Sequence, residues 1–515
     1  MPLRHHLIVF VYGAIVFLLF LDNGTTLTRH EVLAAEPARE MLDAGAPLAV
    51  QTFAGEVRTA KPPTMSWLIA AAMQLTQSRG EFACRLPAAL SAILVAHTVA
   101  VIAHRLLGSP AGLLAGLATL TTFWLQLQGR LAQADVPMTA AITVAMAALT
   151  WLLPRRAGGS LLSAPGPAHS QTLTPRALRL IAVVFYAGTG ASFLIKGVGP
   201  LVTLPAAVLF GLWSRDRRVW KVLLDPLGLA VLAVLLLAWP IAALMTYPPI
   251  WRAWLDQTVG RLDGQFDKRD PVTPLGYALG LPFYLYTAPM LLLPMTPALV
   301  LAAWHVRRRW RESMAVRFLI CWVAPFFVLI TLSAFRNPHY VMPLMPAASV
   351  GAALGTLVWA RGLRRPQWAR PLLTIWFVAC LIGALVVQAV IGPRSDSFRV
   401  YARLAAVANL HATGGGPVRL IGLGEAQVAY YLSTIPVRID DPARTPRDTL
   451  LLAICDRQTL HKLAGVHAVT ELATARRPRD DDNEELVLVR LNAGPESTAV
   501  TKQAGGYGMT PGGGP

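Results

Sequence analysis

Eleven apolar runs, each near the ~20 residues that a bilayer-crossing helix requires, constrain this chain more than any other feature. They fall at about 5–22, 82–104, 109–127, 136–153, 179–195, 198–213, 222–246, 281–304, 315–334, 340–360 and 371–391. Charged residues make up only 14% of the chain and hydrophobic ones 54%, whereas a soluble domain is about one-quarter charged. The predicted class is therefore an α-helical polytopic membrane protein with about 11 or more transmembrane helices. Leu7–Leu21 lacks a small-residue cleavage site directly after it and reads as an uncleaved first span.

The net charge of +18 is carried by short clusters between the apolar runs rather than by one amphipathic face, which excludes a nucleic-acid-binding reading. Alternate loops hold Arg155, Arg156, Arg176 and Arg179, then Arg215, Arg217, Arg218 and Lys221, then Arg307, Arg308, Arg309 and Arg311, then Arg361, Arg364, Arg365 and Arg370. Arg4 and Arg105 fall on the same side. By the positive-inside rule these loops are cytoplasmic, as is the N-terminus, and an odd span count puts everything after residue 392 outside. Cys84, Cys321, Cys380 and Cys455 have no metal or redox spacing and read as packing residues.

The outside segments carry the unusual composition. The first outside loop, 23–81, contains two stretches, 31–43 and 64–77, that are too short and too polar to span and read as interfacial helices. The second, 247–280, is rich in Pro, Trp and charge. The expected organisation is a transmembrane domain over 1–391, a small α/β domain over 392–495 and a disordered tail over 496–515. In the α/β domain, Pro417–Leu423, Ile435–Ile439, Thr449–Ile454 and Glu485–Arg490 read as strands and Glu425–Ser433 as a helix. Gly422-Leu-Gly424 lacks a third glycine, since Gln427 stands in its place, and reads as a simple strand-to-helix turn rather than a dinucleotide site.

Several outside residues could carry chemistry. Glu31, after His30, is placed to act as a general base, although Thr28-Arg29-His30-Glu31 equally fits a capping box. Asp135 opens a span with Pro137 in its first turn, which suits both a helix cap and a catalytic carboxylate. Lys61, stiffened by Pro62 and Pro63, is a candidate partner for a lipid phosphate or a snorkelling lysine. Lys196 splits an apolar stretch within Lys196-Gly-Val-Gly-Pro200, and an ionisable group at membrane level is a functional candidate by default. Arg261, Lys268, Arg269, His339 and Tyr340 complete an outward, mainly basic set facing two carboxylates, the inventory needed to hold an anionic phosphate and activate a nucleophile.

In this order the pieces resemble the dolichyl-phosphate-mannose–protein mannosyltransferase superfamily, in particular its bacterial aminoarabinose-transferase-like branch. The matching residues are His30-Glu31, Glu36-Pro-Ala-Arg39-Glu40-Met41-Leu42, Lys61-Pro62-Pro63 with Trp67, Arg85-Leu-Pro-Ala-Ala-Leu-Ser91, Arg130-Leu-Ala-Gln-Ala-Asp135, Lys196-Gly197, and His339-Tyr340 with Pro343 and Pro346. The resemblance implies the GT-C fold and an inverting glycosyltransferase that uses a polyprenyl-phosphate-linked sugar donor. The acceptor would be a lipid, a glycan or a protein at the outer face of a bacterial inner membrane. It implies an acidic pair, one member from the first outside loop, here Glu31, and one at Asp135, and that Lys61, Arg261 and Tyr340 hold the lipid phosphate. His30 joins the catalytic candidates as the residue at the family's first acidic position, and Lys196 and His339 join the phosphate set from their place in the outward basic set.

The family usually has Asp-Glu where this chain has His30-Glu31. Many of its aminoarabinose transferases have a metal-binding Glu where this chain has Ala60, so the metal is unknown. A transporter or flippase of lipid-linked sugars would show paired broken spans at the membrane midplane, whereas one split stretch is visible here. A non-catalytic envelope assembly protein is the third alternative.

Overall fold

The computed structural model of the chain describes residues 1–59, 61–153, 155–156, 168–169, 173–255, 273–307, 310–311, 313–334, 336–412, 416–424, 426–446, 450–476, 485–492 and 501–509. Among them, seven helices are long and apolar enough to cross a membrane: Glu81–Leu107, Asp135–Leu152, Pro175–Lys196, Pro226–Thr246, Met314–Leu332, Pro338–Gly362 and Pro366–Arg394. A further pair, Pro274–Leu291 and Thr296–Val306, is bent by 113°. Three shorter apolar helices, Leu3–Leu18, Ser109–Thr121 and Pro200–Ser214, fall on the remaining runs of the sequence. The chain is thus a multi-pass, mostly helical membrane protein with a small sheet near its C-terminus.

The helices begin as α1 (Leu3–Leu18), α2 (Arg29–Asp43), α3 (Thr64–Thr76), α4 (Glu81–Leu107), α5 (Ser109–Thr121), α6 (Phe123–Gln128), α7 (Asp135–Leu149), α8 (Pro175–Lys196) and α9 (Pro200–Ser214). Local chemistry sets their ends. Thr174 caps α8, its Oγ1 accepting from Ala177 N–H at 3.2 Å, and Pro175 fills the first-turn position where the missing N–H costs nothing. Gly197 ends α8 with φ of +84°, a left-handed conformation that favours glycine. Pro200 then starts α9.

The chain folds as two compact units. The first comprises Met1–Leu21, Thr59–Met65 and Arg85–Val386; the second comprises Asp22–Arg58, Ser66–Cys84 and Val387–Pro515. The sequence reading keeps the whole of loop 23–81 with the membrane domain. Most of that loop instead belongs to the unit that contains the C-terminal residues.

In the first unit, α7 packs on α8, α8 on Pro226–Thr246, and α9 on Met314–Leu332. Small residues let these backbones approach, as is usual where lipid tails offer no hydrophobic drive between helices. A Cβ added at Gly188 of α8 would meet the Ala141 carbonyl of α7 at 2.7 Å. The C-terminal end of α1 is capped by two arginines from distant sequence. Arg130 Nη1 donates to the carbonyls of Val16 at 2.9 Å and Leu19 at 3.0 Å, and its Nη2 donates to Phe20 O. Arg85 Nη1 reaches Leu21 O at 3.5 Å. These guanidinium groups satisfy carbonyls that a helix end leaves without partners.

The second unit contains a six-stranded sheet of β5 (Arg419–Ile421), β6 (Val437–Ile439), β7 (Leu451–Asp456), β8 (Ala468–Arg476), β9 (Glu485–Asn492) and β10 (Thr501–Met509). Two short hairpins precede these strands, β1 (Gln51–Phe53) with β2 (Glu56–Arg58) and β3 (Arg155–Arg156) with β4 (Ala168–His169). The order across the sheet is β10-β8-β9-β7-β5-β6. Its buried face gathers Ile421, Ala453, Cys455, Val487 and Val489 with Leu460 and Leu463 of helix Arg457–Ala464. Two expectations need correction here. Thr501–Met509, inside the tail read as disordered, pairs in parallel with β8, whose outer edge offers unpaired backbone groups. The helix expected over 425–433 is a short 3-10 turn, Gln427–Tyr431, because its polar side chains are used as anchors rather than as one face of a longer helix.

Candidate active site

Asp135 is the first residue of α7, directly after the N-cap residue Ala134. It accepts at Oδ1 from Lys196 Nζ, the last side chain of α8. The pairing follows from the antiparallel packing of α7 and α8, which brings the N-terminus of one beside the C-terminus of the other. Each charge sits at the helix end that favours it, the carboxylate at the positive pole and the ammonium at the negative one. Both side chains are largely withdrawn from solvent, at 17% exposure for Lys196 and 7% for Asp135. His339 and Lys61 are the other basic groups whose fields reach this carboxylate.

His339 is held in place by a polar turn. Asn337 Oδ1 accepts from His339 N–H at 2.9 Å, and Tyr340 N–H donates to Asn337 O at 3.0 Å. Asn337 is fixed in turn by Tyr284, whose hydroxyl donates to its carbonyl and accepts from its N–H, both at 3.0 Å. The His339 ring lies 5.4 Å, centroid to centroid, from the indole of Trp124 on α6. Lys61 is exposed and Tyr340 half-buried.

In the second unit, Glu31 is fully buried on the first turn of α2, whereas His30 is exposed. Thr28 N–H donates to Glu31 Oε2 at 2.8 Å, the glutamate arm of the expected capping box. One turn further along α2, Glu36 and Arg39 form a buried pair at 2.6 Å. Burial pushes the Glu36 carboxyl up to about 7, against the pull of the Arg39 guanidinium.

The structure therefore brings Asp135, Lys196, His339 and Lys61 together, and assigns His30 and Glu31 to the other unit. Arg261, Lys268 and Arg269 lie outside the described residues. The sequence identifies Asp135 and Lys196 separately, but no spacing signals that they pair. Trp124 and Tyr284 are missed altogether, since isolated aromatic residues in apolar helices carry no distinguishing pattern. Among the described residues, no group of three or more His, Cys, Asp or Glu is gathered as a metal site.

The fold has known counterparts. ArnT from Cupriavidus metallidurans, in a crystal structure with undecaprenyl phosphate, superposes with a TM-score of 0.74 at 17% identity, over 95% of this chain and 98% of that one. The oligosaccharyltransferase of Archaeoglobus fulgidus in its apo form gives 0.52 at 12% identity, over 87% of this chain and 65% of that one. The family profile described as dolichyl-phosphate-mannose-protein mannosyltransferase matches residues 60–164. These likenesses, with a polar cluster at helix ends in a helical membrane unit, define a membrane protein of the GT-C fold.

Within that class the chain is similar in sequence to aminoarabinose transferases. It is 25% identical over 400 residues to the undecaprenyl phosphate-alpha-4-amino-4-deoxy-L-arabinose arabinosyl transferase of Enterobacter sp. strain 638, covering 75% of this chain. A second protein of that name from Proteus mirabilis is 22% identical over 74% of this chain. The chain spans 65% of the length of each of these two relatives.

Proposed function

We propose that this protein is an inverting glycosyltransferase that moves a sugar from a polyprenyl-phosphate carrier to a lipid, glycan or protein acceptor at the outer face of the inner membrane. The observation that carries this reading is the convergence of Lys196, His339 and Lys61 on Asp135 from three separate parts of the sequence. The acceptor oxygen attacks the anomeric carbon as the bond to the phosphate oxygen breaks. The phosphate leaves with the bonding electron pair, and the acceptor proton passes to a base. A polyprenyl phosphate leaves as an anion, so it needs cations more than it needs an acid. Lys61, His339 and Tyr340, with Arg261 from the second loop, supply that environment.

Asp135 is the carboxylate in this cluster. Lys196 holds it through Oδ1 and so sets the direction in which it can receive or orient the acceptor proton. His30 and Glu31 divide a second role. Glu31 is buried and fixes the turn, while His30 is exposed and able to reach an acceptor. Support for a polyprenyl-phosphate donor comes from the relatives, which are named for an undecaprenyl-phosphate-linked sugar, and from the undecaprenyl phosphate bound to the superposable ArnT.

The test begins at Lys61. Lys61→Ala should lower transfer from an undecaprenyl-phosphate-linked sugar at least about tenfold at limiting donor, a loss of about 1.4 kcal/mol, while the protein stays monodisperse. Near-parental transfer at limiting donor would show that Lys61 merely snorkels.

The arginine-rich loops support a cytoplasmic N-terminus and an external segment from 392 to 495. An export-dependent phosphatase reporter should be active when fused after residue 395 and inactive when fused at 310. The reverse at either site sinks this orientation and removes the cluster from any outer acceptor.

A further inference from the structure

The segment that follows the last span does more than complete a sheet. Thr26, Leu27 and Thr28 lead directly into α2 and the His30–Glu31 turn. Two of these three residues are tied down by side chains from far along the chain, all within the second compact unit. Thr26 N–H donates to Asp396 Oδ2 at 2.8 Å, and Thr26 Oγ1 donates to the same carboxylate. Leu27 N–H donates to Tyr431 Oη at 2.6 Å, and Gln427 Nε2 donates to Leu27 O. Both backbone groups of Leu27 are therefore held by one short 3-10 turn. Tyr431 Oη in turn donates its one proton to Glu81 Oε1 at 3.1 Å, which fixes the phenol itself. The same turn grips the middle of α2, where Arg39 donates to Leu432 O at 2.6 Å and to Ala429 O at 3.2 Å.

We propose that Gln427 and Tyr431 are positioning residues that set the His30–Glu31 turn for reaction by clamping both hydrogen-bonding groups of Leu27. The physical case is direct. Leu27 N–H and C=O sit just ahead of a helix N-terminus, where nothing inside the helix can bind them. Leu27 is fully buried, so water cannot readily replace a lost partner, and a buried backbone group without one is costly. Losing either arm frees the peptide units on both sides of Leu27 to rotate and carries the first turn of α2 with them. A displacement of about 1 Å at a reacting group can cost about 10²-fold in rate. Gln427 occupies the place where a dinucleotide-binding turn would have its third glycine, and this clamp gives that departure a purpose. The proposal rests on the reading that the His30–Glu31 turn serves catalysis.

The test uses the full chain in detergent, with undecaprenyl phosphate-4-amino-4-deoxy-L-arabinose as donor and a native envelope-lipid extract as acceptor. Active sites are counted by undecaprenyl-phosphate binding. Tyr431→Phe keeps the ring and deletes the hydroxyl, Gln427→Ala removes the second arm, and Glu81→Gln perturbs only the outer end of the clamp. The first two should lower kcat at least about tenfold per binding site, with donor KM within about twofold, and should move the acid limb of the pH–rate profile that reports the base. Hydrogen exchange at Leu27 N–H should quicken in Tyr431→Phe. Glu81→Gln keeps an oxygen to accept the Tyr431 proton, so the clamp survives and the rate should stay near the parent.

Unchanged rates in Tyr431→Phe and Gln427→Ala overturn the proposal. So does a profile that shrinks uniformly without moving its limb, since a displaced base would move it. His30→Ala and Glu31→Gln separate the two readings. If both keep full rate, the catalytic role of the turn fails and this inference fails with it. If they are inactive while the clamp variants are normal, only the clamp is wrong.

Discussion

Asp135→Asn is expected to lower turnover per undecaprenyl-phosphate binding site by about 10²–10⁴-fold, the usual contribution of general acid–base catalysis, in a chain that still inserts into the membrane. The amide has nearly the same shape as the carboxylate and can still accept a hydrogen bond from Lys196 through its oxygen, but it cannot take a proton. A purely structural Asp135 predicts a different pattern. The variant would lose part of an ion pair, unfold more easily, and retain near-normal turnover in the surviving fraction. Turnover per undecaprenyl-phosphate binding site separates the two, because it is blind to how much protein survives. A tenfold or smaller loss by that measure removes Asp135 from the chemistry and leaves the His30–Glu31 turn as the source of the base.

The largest stability effect is expected at Lys196. Removing one partner of a buried ion pair leaves the other charge without compensation, at about 3–5 kcal/mol. The partial exposure of Lys196 places Lys196→Met at the low end of that range. Asp135→Asn placed in the same chain should restore much of the loss, since it removes the stranded charge. Thermal unfolding in detergent of both single variants, the double variant and the parent gives the coupling directly. Strict additivity of the two single effects would mean that the contact between Lys196 Nζ and Asp135 Oδ1 contributes nothing. Activity should not recover with stability in the double variant, because Asp135→Asn has also lost the proton acceptor.

The spans were legible because crossing a bilayer imposes a length and an apolarity that few other structures share. The break at Lys196-Gly197 was legible for a related reason: glycine and proline interrupt an apolar run where a helix must stop and restart. The glutamate arm of the α2 capping box could be read from a spacing of three residues. Contacts between distant segments could not be read this way. Nothing in the sequence around Asp135 points to Lys196, and nothing around Gln427 points to Leu27, since such pairs are set by how helices and turns pack. The glycines within 501–509 suggest a flexible tail, yet backbone hydrogen bonding to an open strand edge requires no particular side chain.

The second compact unit has a consequence for biosynthesis. Its α2 is translated well before Asp396, Gln427 and Tyr431, which hold the approach to that helix. More than about 300 residues separate the two, and ribosomes add roughly 5–20 residues per second. The early segment must therefore wait some 15 seconds or longer before its partners exist. During that interval the segment ahead of the first turn lacks its anchors and the apolar face of α2 lacks its cover. Premature termination anywhere before residue 396 leaves that segment permanently without its anchors. Quality control of this protein should therefore recognise truncated chains through their N-terminal loop rather than through their broken C-terminal ends.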